Sequence, residues 1–453
     1  MLVSGRYAAK YLLLIALPLL AALMPQTSSA LPSYARQTGL ACQTCHTIGF
    51  GPALTPYGQN FKLNGYVWGD ASSLPPVAFM QVSSFTNTQK GQDGGAAPHF
   101  SPNDNFAADQ TSLFYGGRIY DKLGAFIQTT YDGVAQRLSW DNFDLRYANR
   151  ATIAGHALVY GGTLNNNPTV QDLWNSTPAW SFPYQSSPLA PTPAAAPLIE
   201  GALAQQVAGV TAYGMLDNLL YLESGVYRSL PSRLQSRLGV GPGGESPIQG
   251  EAPYWRGALQ RSFGPVYASL GTFGMSARLK PGGDGSAGGD RYTDLGFDAT
   301  AQWQLDGINA FNGNATYIHE LQRLDASHAL GLSANPANHL NSFRLNAAYV
   351  WKQTVSFSAG YFDINGSSDG GLYAPGAIGG SASGSPGSSG YLYQLEYVPF
   401  GKFDSWARPW ANVRLGLQYT EYTRFNGGRI NYDGAGRNAG DNNTLYLFVW
   451  TAF

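Results

Sequence analysis

Cys42-Gln43-Thr44-Cys45-His46 holds the only two cysteines of the chain. Two residues between the thiols, with a histidine directly after the second, is the attachment pattern of a c-type haem. Each thiol adds to one porphyrin vinyl group, and the short linker sets His46 beneath the iron, where an imidazole nitrogen serves as axial ligand. Three other uses of the pair compete. A redox pair needs a low-pKa thiol in a thioredoxin-like βαβ setting, and no such pattern surrounds it. A structural zinc site needs four ligands and usually a second cysteine pair, which the chain lacks. A plain disulfide leaves His46 unexplained. The expectation is one covalent haem c on Cys42 and Cys45, with His46 binding the metal.

This segment does not supply the far side of the iron. Between Leu31 and Pro76 there is no methionine and no second histidine. Met80, Met215, Met275, His99, His156, His319, His328 and His339 all lie downstream. Either the iron keeps an open or weakly held position, or the rest of the chain provides a distal group. A segment running only from 31 to 76 is also too small to build a core of its own. Both points suggest that it plugs whatever follows. Arg36 and Lys62 flank the motif and are candidates to steer a donor or hold a propionate, with a solvated surface role as the plain alternative. Asp325, His328 and His339 fall on one predicted loop, where solvated polarity is a simpler account than a metal site. No Gly-X-Ser-X-Gly elbow and no Walker loop occurs, which argues against hydrolase and nucleotide functions.

The elements that must position the motif are written in the composition. Of 453 residues only 12% are charged, while Gly (56), Tyr (28) and Trp (10) are abundant. A net charge of −1 argues against nucleic acid as a partner. Arg6 and Lys10 followed by an apolar stretch to Met24, then Ser28-Ser29-Ala30, reads as a signal peptide over 1–30 cleaved after Ala30. Beyond residue 25 no run of about 20 apolar residues exists to span a bilayer as a helix. Low charge, much Gly and many aromatics without apolar helices instead fit a transmembrane barrel, whose strands alternate.

From residue 77 the sequence breaks into alternating segments of about 10 residues. They are 77–87, 110–120, 123–132, 141–149, 154–161, 207–214, 219–228, 254–262, 265–275, 293–304, 309–321, 342–351, 354–364, 390–398, 410–423 and 444–453. Tight links such as Asp121-Lys122, Asp217-Asn218, Gly264 and Lys352-Gln353 alternate with long ones, as in outer-membrane barrels whose long loops face outward. Leu345, Ala347 and Tyr349 fall on one face and Arg344 and Asn346 on the other. Strand charges (Arg118, Asp144, Arg146, Arg256, Arg344, Glu396, Arg414) collect on the lumen side; facing lipid, an Arg would cost roughly 2–4 kcal/mol at the midplane. The terminal Phe453 closes an alternating strand, as barrel-insertion signals do. Residues 162–206 are candidates to fold inward, and 365–389, nearly all Gly, Ser and Ala, read as a flexible external loop. The expected fold is thus all-β, an antiparallel outer-membrane barrel of about sixteen strands over 77–453, plugged by the haem segment over 31–76.

Ala35-Arg36-Gln37-Thr38-Gly39 before the motif, Leu54-Thr55-Pro56-Tyr57-Gly58-Gln59-Asn60-Phe61-Lys62-Leu63-Asn64-Gly65-Tyr66 after it, and Asn165-Asn166-Asn167-Pro168-Thr169-Val170-Gln171-Asp172-Leu173-Trp174-Asn175 resemble the fused cytochrome–porin family. That family includes outer-membrane iron oxidases of iron-oxidising bacteria. The resemblance implies a monohaem oxidoreductase in the outer membrane. It would take electrons from an extracellular donor such as Fe(II) and pass them to a periplasmic cytochrome or copper protein. Only Cys42, Cys45 and His46 carry over as site residues. A haem-decorated diffusion porin, and electron flow outward to an extracellular acceptor, remain as alternatives.

Overall fold

The computed structural model describes residues 31–69, 75–241 and 246–453. The signal peptide expected over 1–30 lies outside the described residues. The first eight strands are β1 (Val77–Thr88), β2 (Asn105–Tyr120), β3 (Leu123–Asp132), β4 (Arg137–Ile153), β5 (His156–Asn165), β6 (Val207–Leu216), β7 (Leu220–Ser229) and β8 (Ala252–Phe263). The rest are β9 (Val266–Leu279), β10 (Asp290–Gln304), β11 (Ala310–Arg323), β12 (Ala337–Trp351), β13 (Val355–Gly366), β14 (Ser388–Tyr397), β15 (Asn412–Arg424) and β16 (Thr444–Ala452). Each pairs with its sequence neighbours, and β1 pairs antiparallel with β16 from Met80↔Ala452 to Thr88↔Thr444, closing a sixteen-strand barrel.

All sixteen expected strands are present, several of them longer than their alternation indicated. β2 starts at Asn105 and β4 runs from Arg137 to Ile153. Ladder hydrogen bonds continue past the apolar band, where both faces are wet and alternation no longer marks the strand. Leu113, Leu270, Phe297, Leu345, Leu395 and Leu417 stand exposed on the outer wall, while Arg146, Arg256 and Arg414 are fully buried inside. Among the described residues no helix is long and apolar enough to cross a membrane.

Turns at one end are tight: 121–122, 154–155, 217–219, 264–265 and 352–354. Asp217 and Asn218 both take positive φ (50° and 53°) as the central residues of a β-turn closed by the Leu219 N–H on the Leu216 carbonyl, a geometry that follows strand twist. The exception at this end is 398–411. The other end carries the long connections, 89–104, 166–206, 230–251, 367–387 and 425–443 among them. The expectation of a flexible loop over 365–389 is corrected. Asp369, within the stretch, accepts the backbone N–H groups of Ala334, Asn335, Gly371 and Leu372, and Asp433 accepts that of Ile378, so this Gly-rich stretch is tied to its neighbouring connections.

Residues 31–69 lie within the lumen at the tight-turn end. Three short helices, α1 (Pro32–Thr38), α2 (Cys42–Cys45) and α3 (Pro56–Leu63), are held from all round the wall. The Arg118 N–H of β2 donates to Gln37 Oε1, Arg146 of β4 to the Lys62 carbonyl, and Tyr213 of β6 to the Leu63 carbonyl. Gln302 of β10 donates to the Leu54 carbonyl and Arg414 of β15 to that of Phe50. The connection 166–206 enters from the opposite end, and Asn166, Thr169, Gln171 and Asp172 are wholly buried. Its inward course agrees with the expectation that this region folds inward.

Candidate functional site

The Cys-X-X-Cys-His turn is built by local folding-back. Thr55 caps α3, accepting the Gly58 N–H while its own hydroxyl donates to the Thr44 carbonyl at 2.6 Å, and Pro56 follows as the first helical residue. The Thr55 N–H meets the Cys45 carbonyl and the Thr47 N–H that of Ala53, so residues 46–54 form a closed loop that lays α3 against α2. The approach demands glycine at 58, because a Cβ there would sit 2.3 Å from the Cys45 carbonyl oxygen. The barrel then fixes the turn. The Gln43 N–H donates to the Gly401 carbonyl, and Asn412 Nδ2 lies 3.2 Å from both Cys42 Sγ and the Gly49 carbonyl.

Cys42, Cys45 and His46 all line one cavity of about 630 Å³, within the size range of small-molecule and cofactor pockets. Its walls come from three sources. The plug gives Leu31, Tyr34 and Phe61; the strands give Met80, Phe114 and Trp450; the inward connection gives Trp180, Phe182 and Tyr184. Asp141, Gln185, Glu200 and Arg344 make part of its lining polar.

The groups in this cavity suit a covalently bound haem. Both cysteines line it, they form no disulfide, and most of its lining is apolar or aromatic. His46 Nδ1 is buried without a hydrogen-bond partner. Burial pushes His46 down to about 4; the nearby carbonyls of Gly51 and Ala53 oppose this and Arg414 adds to it, so the ring is the neutral base that iron ligation requires. Burial also pushes the Cys45 thiol up to about 12, the opposite of what a redox pair needs.

The flanking cations separate. Arg36 is at the rim, donating to the Val77 carbonyl and lying 5.0 Å over the Trp410 ring. Lys62 is buried, which corrects the solvated alternative: its Nζ donates to the Val170 carbonyl at 2.8 Å and Asn175 Oδ1 at 2.9 Å, and sits 5.0 Å over Trp180. Burial, then the Arg146 charge, pushes this amine down to about 7 although Asp144 and Asp172 pull the other way.

Of the candidate distal ligands, Met80 alone lines the cavity. Met215 packs with Leu173 and Trp174, and Met275 with Leu198 and Ile199. His99 lies in the 89–104 connection, His156 bonds Asp217 at 2.6 Å, and His319 bonds Asn341. His328 meets the Ser333 carbonyl and His339 the Ser367 hydroxyl. Among the described residues no three His, Cys, Asp or Glu side chains gather as a metal site would require, Asp325, His328 and His339 included.

No protein-family model matches the chain, and no curated protein matches it. Solved barrels do. The outer-membrane channel DcaP of Acinetobacter baumannii is 11% identical over 83% of this chain and 96% of its own, at a TM-score of 0.46. An anion-selective porin from Comamonas acidovorans is 12% identical over 83% and 98%, at 0.45. OmpT of Vibrio cholerae is 12% identical over 83% and 96%, at 0.41. At that identity and superposition they bear on no functional point.

The inward connection was visible in the sequence only as a candidate, and its anchors were not. Asp172 meets Arg256 of β8 at 3.0 Å, and Asp298 of β10 holds the same guanidinium at 2.9 and 3.0 Å. Asp172 also accepts the N–H groups of Trp174, Ser176 and Thr177 and the Thr177 hydroxyl. Burial works against its charge, but Arg256, Lys62 and these donors hold the carboxyl below its ordinary range.

Proposed function

We propose that this chain is an outer-membrane electron-transfer protein of the fused cytochrome–porin kind. It would carry one haem c on Cys42 and Cys45, with His46 binding its iron. The observation that carries the reading is that these three side chains line one cavity inside the barrel. The exposed apolar outer wall supports placement in lipid, with the long connections facing outward.

When bound, the haem supplies a one-electron Fe(III)/Fe(II) couple whose potential follows axial ligation, burial and nearby hydrogen bonds. The chain's own residues do the rest. The 46–54 loop presents the His46 ring as a neutral base, and Arg414 pins that loop to the wall through the Phe50 carbonyl. Leu31, Phe61, Phe114 and Trp450 exclude water, while Trp180 and Tyr184 close the cavity toward the long loops. An extracellular donor, for which we favour Fe(II), is oxidised by one electron, and a periplasmic cytochrome or copper protein is reduced by the same electron at the tight-turn end. The chain is then an oxidoreductase.

The test is the visible spectrum of the oxidised, purified protein before and after anaerobic Fe(II). Rapid growth of a reduced c-type α-band is expected. Haem that reduces only with dithionite would overturn Fe(II) as donor and point to outward electron flow. A haem-decorated diffusion porin is the second reading, favoured by the polar lining of a sixteen-strand barrel. Ion conductance of the wild-type protein in a planar bilayer would support it.

A further inference from the structure

We propose that Met80 supplies the distal axial ligand to the iron of a haem attached at Cys42 and Cys45. This rests on the reading above and deepens it.

The argument is one of register and supply. Asn412, whose amide touches Cys42 Sγ at 3.2 Å, pairs across the ladder with Ala452, and Ala452 pairs in turn with Met80. The three residues therefore form one row over β15, β16 and β1, and all are buried on the lumen side. Neighbouring strands stand about 4.8 Å apart, so Met80 lies about 10 Å along the wall from the residue that touches the thiol. The row thus places a thioether on the wall of the cavity that the thiols and His46 line.

Competing donors in the cavity are engaged or unsuited. Lys62 Nζ serves Val170 and Asn175; the Tyr34 hydroxyl donates to the Ala125 carbonyl and the Tyr66 hydroxyl to Asp144. Tyr184 keeps its proton, pushed up to about 12 by burial, and makes a poor phenolate ligand. A thioether opposite imidazole is a low-spin set that raises the potential. Packing alone does not require sulfur here: beside Ala78, Phe114 and Trp450 a leucine would fill the volume as well.

The experiment compares the purified wild-type protein with Met80→Leu, using covalent-haem content, the long-wavelength methionine-to-iron absorption of the oxidised state, and the upfield methionine methyl resonance of the reduced state. Wild type is expected to show both signatures. Met80→Leu is expected to keep covalent haem, lose both, and bind added imidazole at least tenfold more tightly. Should Met80→Leu not assemble, a Met215→Leu/Met275→Leu double variant decides: retained signatures assign Met80, lost signatures overturn the proposal. Covalent haem without a methionine signature in wild type overturns this ligation alone. Absence of covalent haem overturns the functional reading beneath it.

Discussion

Replacing Asp172 by alanine should release the inward connection. Asp172 is one of several points where 166–206 is tied to the wall, beside Glu200 on Arg344 and the Leu198 N–H on Glu320: its carboxylate meets Arg256 at 3.0 Å and accepts three backbone N–H groups of its own segment. Removing one partner of a buried ion pair costs about 3–5 kcal/mol. The lower end applies, because Asp298 still holds Arg256 through two bonds. The orphaned N–H groups cost about 1–3 kcal/mol each while buried and recover water once the segment leaves the lumen, so their cost adds to the drive toward release. The ion-pair share alone, about 3 kcal/mol, shifts the docked-to-released balance roughly 100-fold, and the orphaned N–H groups move it further the same way.

Two assays read this shift. Chymotrypsin should cut after Trp180 far faster in Asp172→Ala than in wild type. Planar-bilayer recordings should show frequent conducting events in the variant and rare ones in wild type. Arg256→Met with Asp298→Asn removes the remaining charges and should not open the lumen further if Asp172 is the anchor. Equal proteolysis and equal conductance for Asp172→Ala and wild type would refute the reasoning, since the segment would then be held elsewhere. The acid dependence has a definite sign. A carboxyl held below its ordinary range stabilises docking above its unfolded pKa and loses that contribution only as pH falls through the depressed folded value. Wild type should therefore stay closed from pH 5 to 8 as far as Asp172 is concerned.

Three further outcomes are expected. His46→Ala should abolish reversible haem redox chemistry, and Cys42→Ala with Cys45→Ala should eliminate covalent attachment; wild-type rates of donor oxidation in either would remove the site from the mechanism. The folded Lys62 amine, at about 7, lies below its unfolded value of 10.5, so the unfolded state binds more protons between them and stability should rise with pH over that window by up to a few kcal/mol. Urea unfolding in detergent micelles should show this slope in wild type and its loss in Lys62→Met. Deleting Phe453 removes two backbone bonds to Phe79 and the ring pair beside them, the latter worth about 0.5–1.5 kcal/mol, at the seam where the barrel closes. Heat-modifiable mobility on gels should show a reduced folded fraction, and an unchanged fraction would show that the seam does not need it.

The strands were legible because each has two faces in two solvents. Arg344 and Asn346 against Leu345 and Ala347 could be sorted from the sequence alone, and their burial follows that sorting. The same physics hides the plug. A segment enclosed by a wall of mixed polarity shows no single apolar stripe, so Lys62 on α3 reads as a surface lysine until the Val170 carbonyl and Trp180 are placed over it. The inward connection is hidden for a related reason. Its Pro and Ala content marks a loop, but its direction is set by a pairing between Asp172 and Arg256 that no local pattern encodes. Met80 likewise reads as one inward residue of β1, and only the closure of β1 onto β16 brings it beside the thiols' wall.

The lumen charges bear on whether this barrel passes solutes. Arg146, Arg256 and Arg414 are each no more than 2% exposed. In an open pore such residues stand in water, where ion pairs contribute little and need no exact partner. Here each is matched: Arg146 with Asp144, Arg256 with Asp172 and Asp298, Arg414 with Glu396. Burial of a guanidinium costs several kcal/mol unless such pairing offsets it. A wall that carries three offset charges is therefore shaped around its filling, and the filling is the plug and the inward connection. Removing either leaves paired charges that water would screen; keeping both leaves one cavity with the two thiols and His46 on its wall. The charge pairing thus weighs against free diffusion through the lumen.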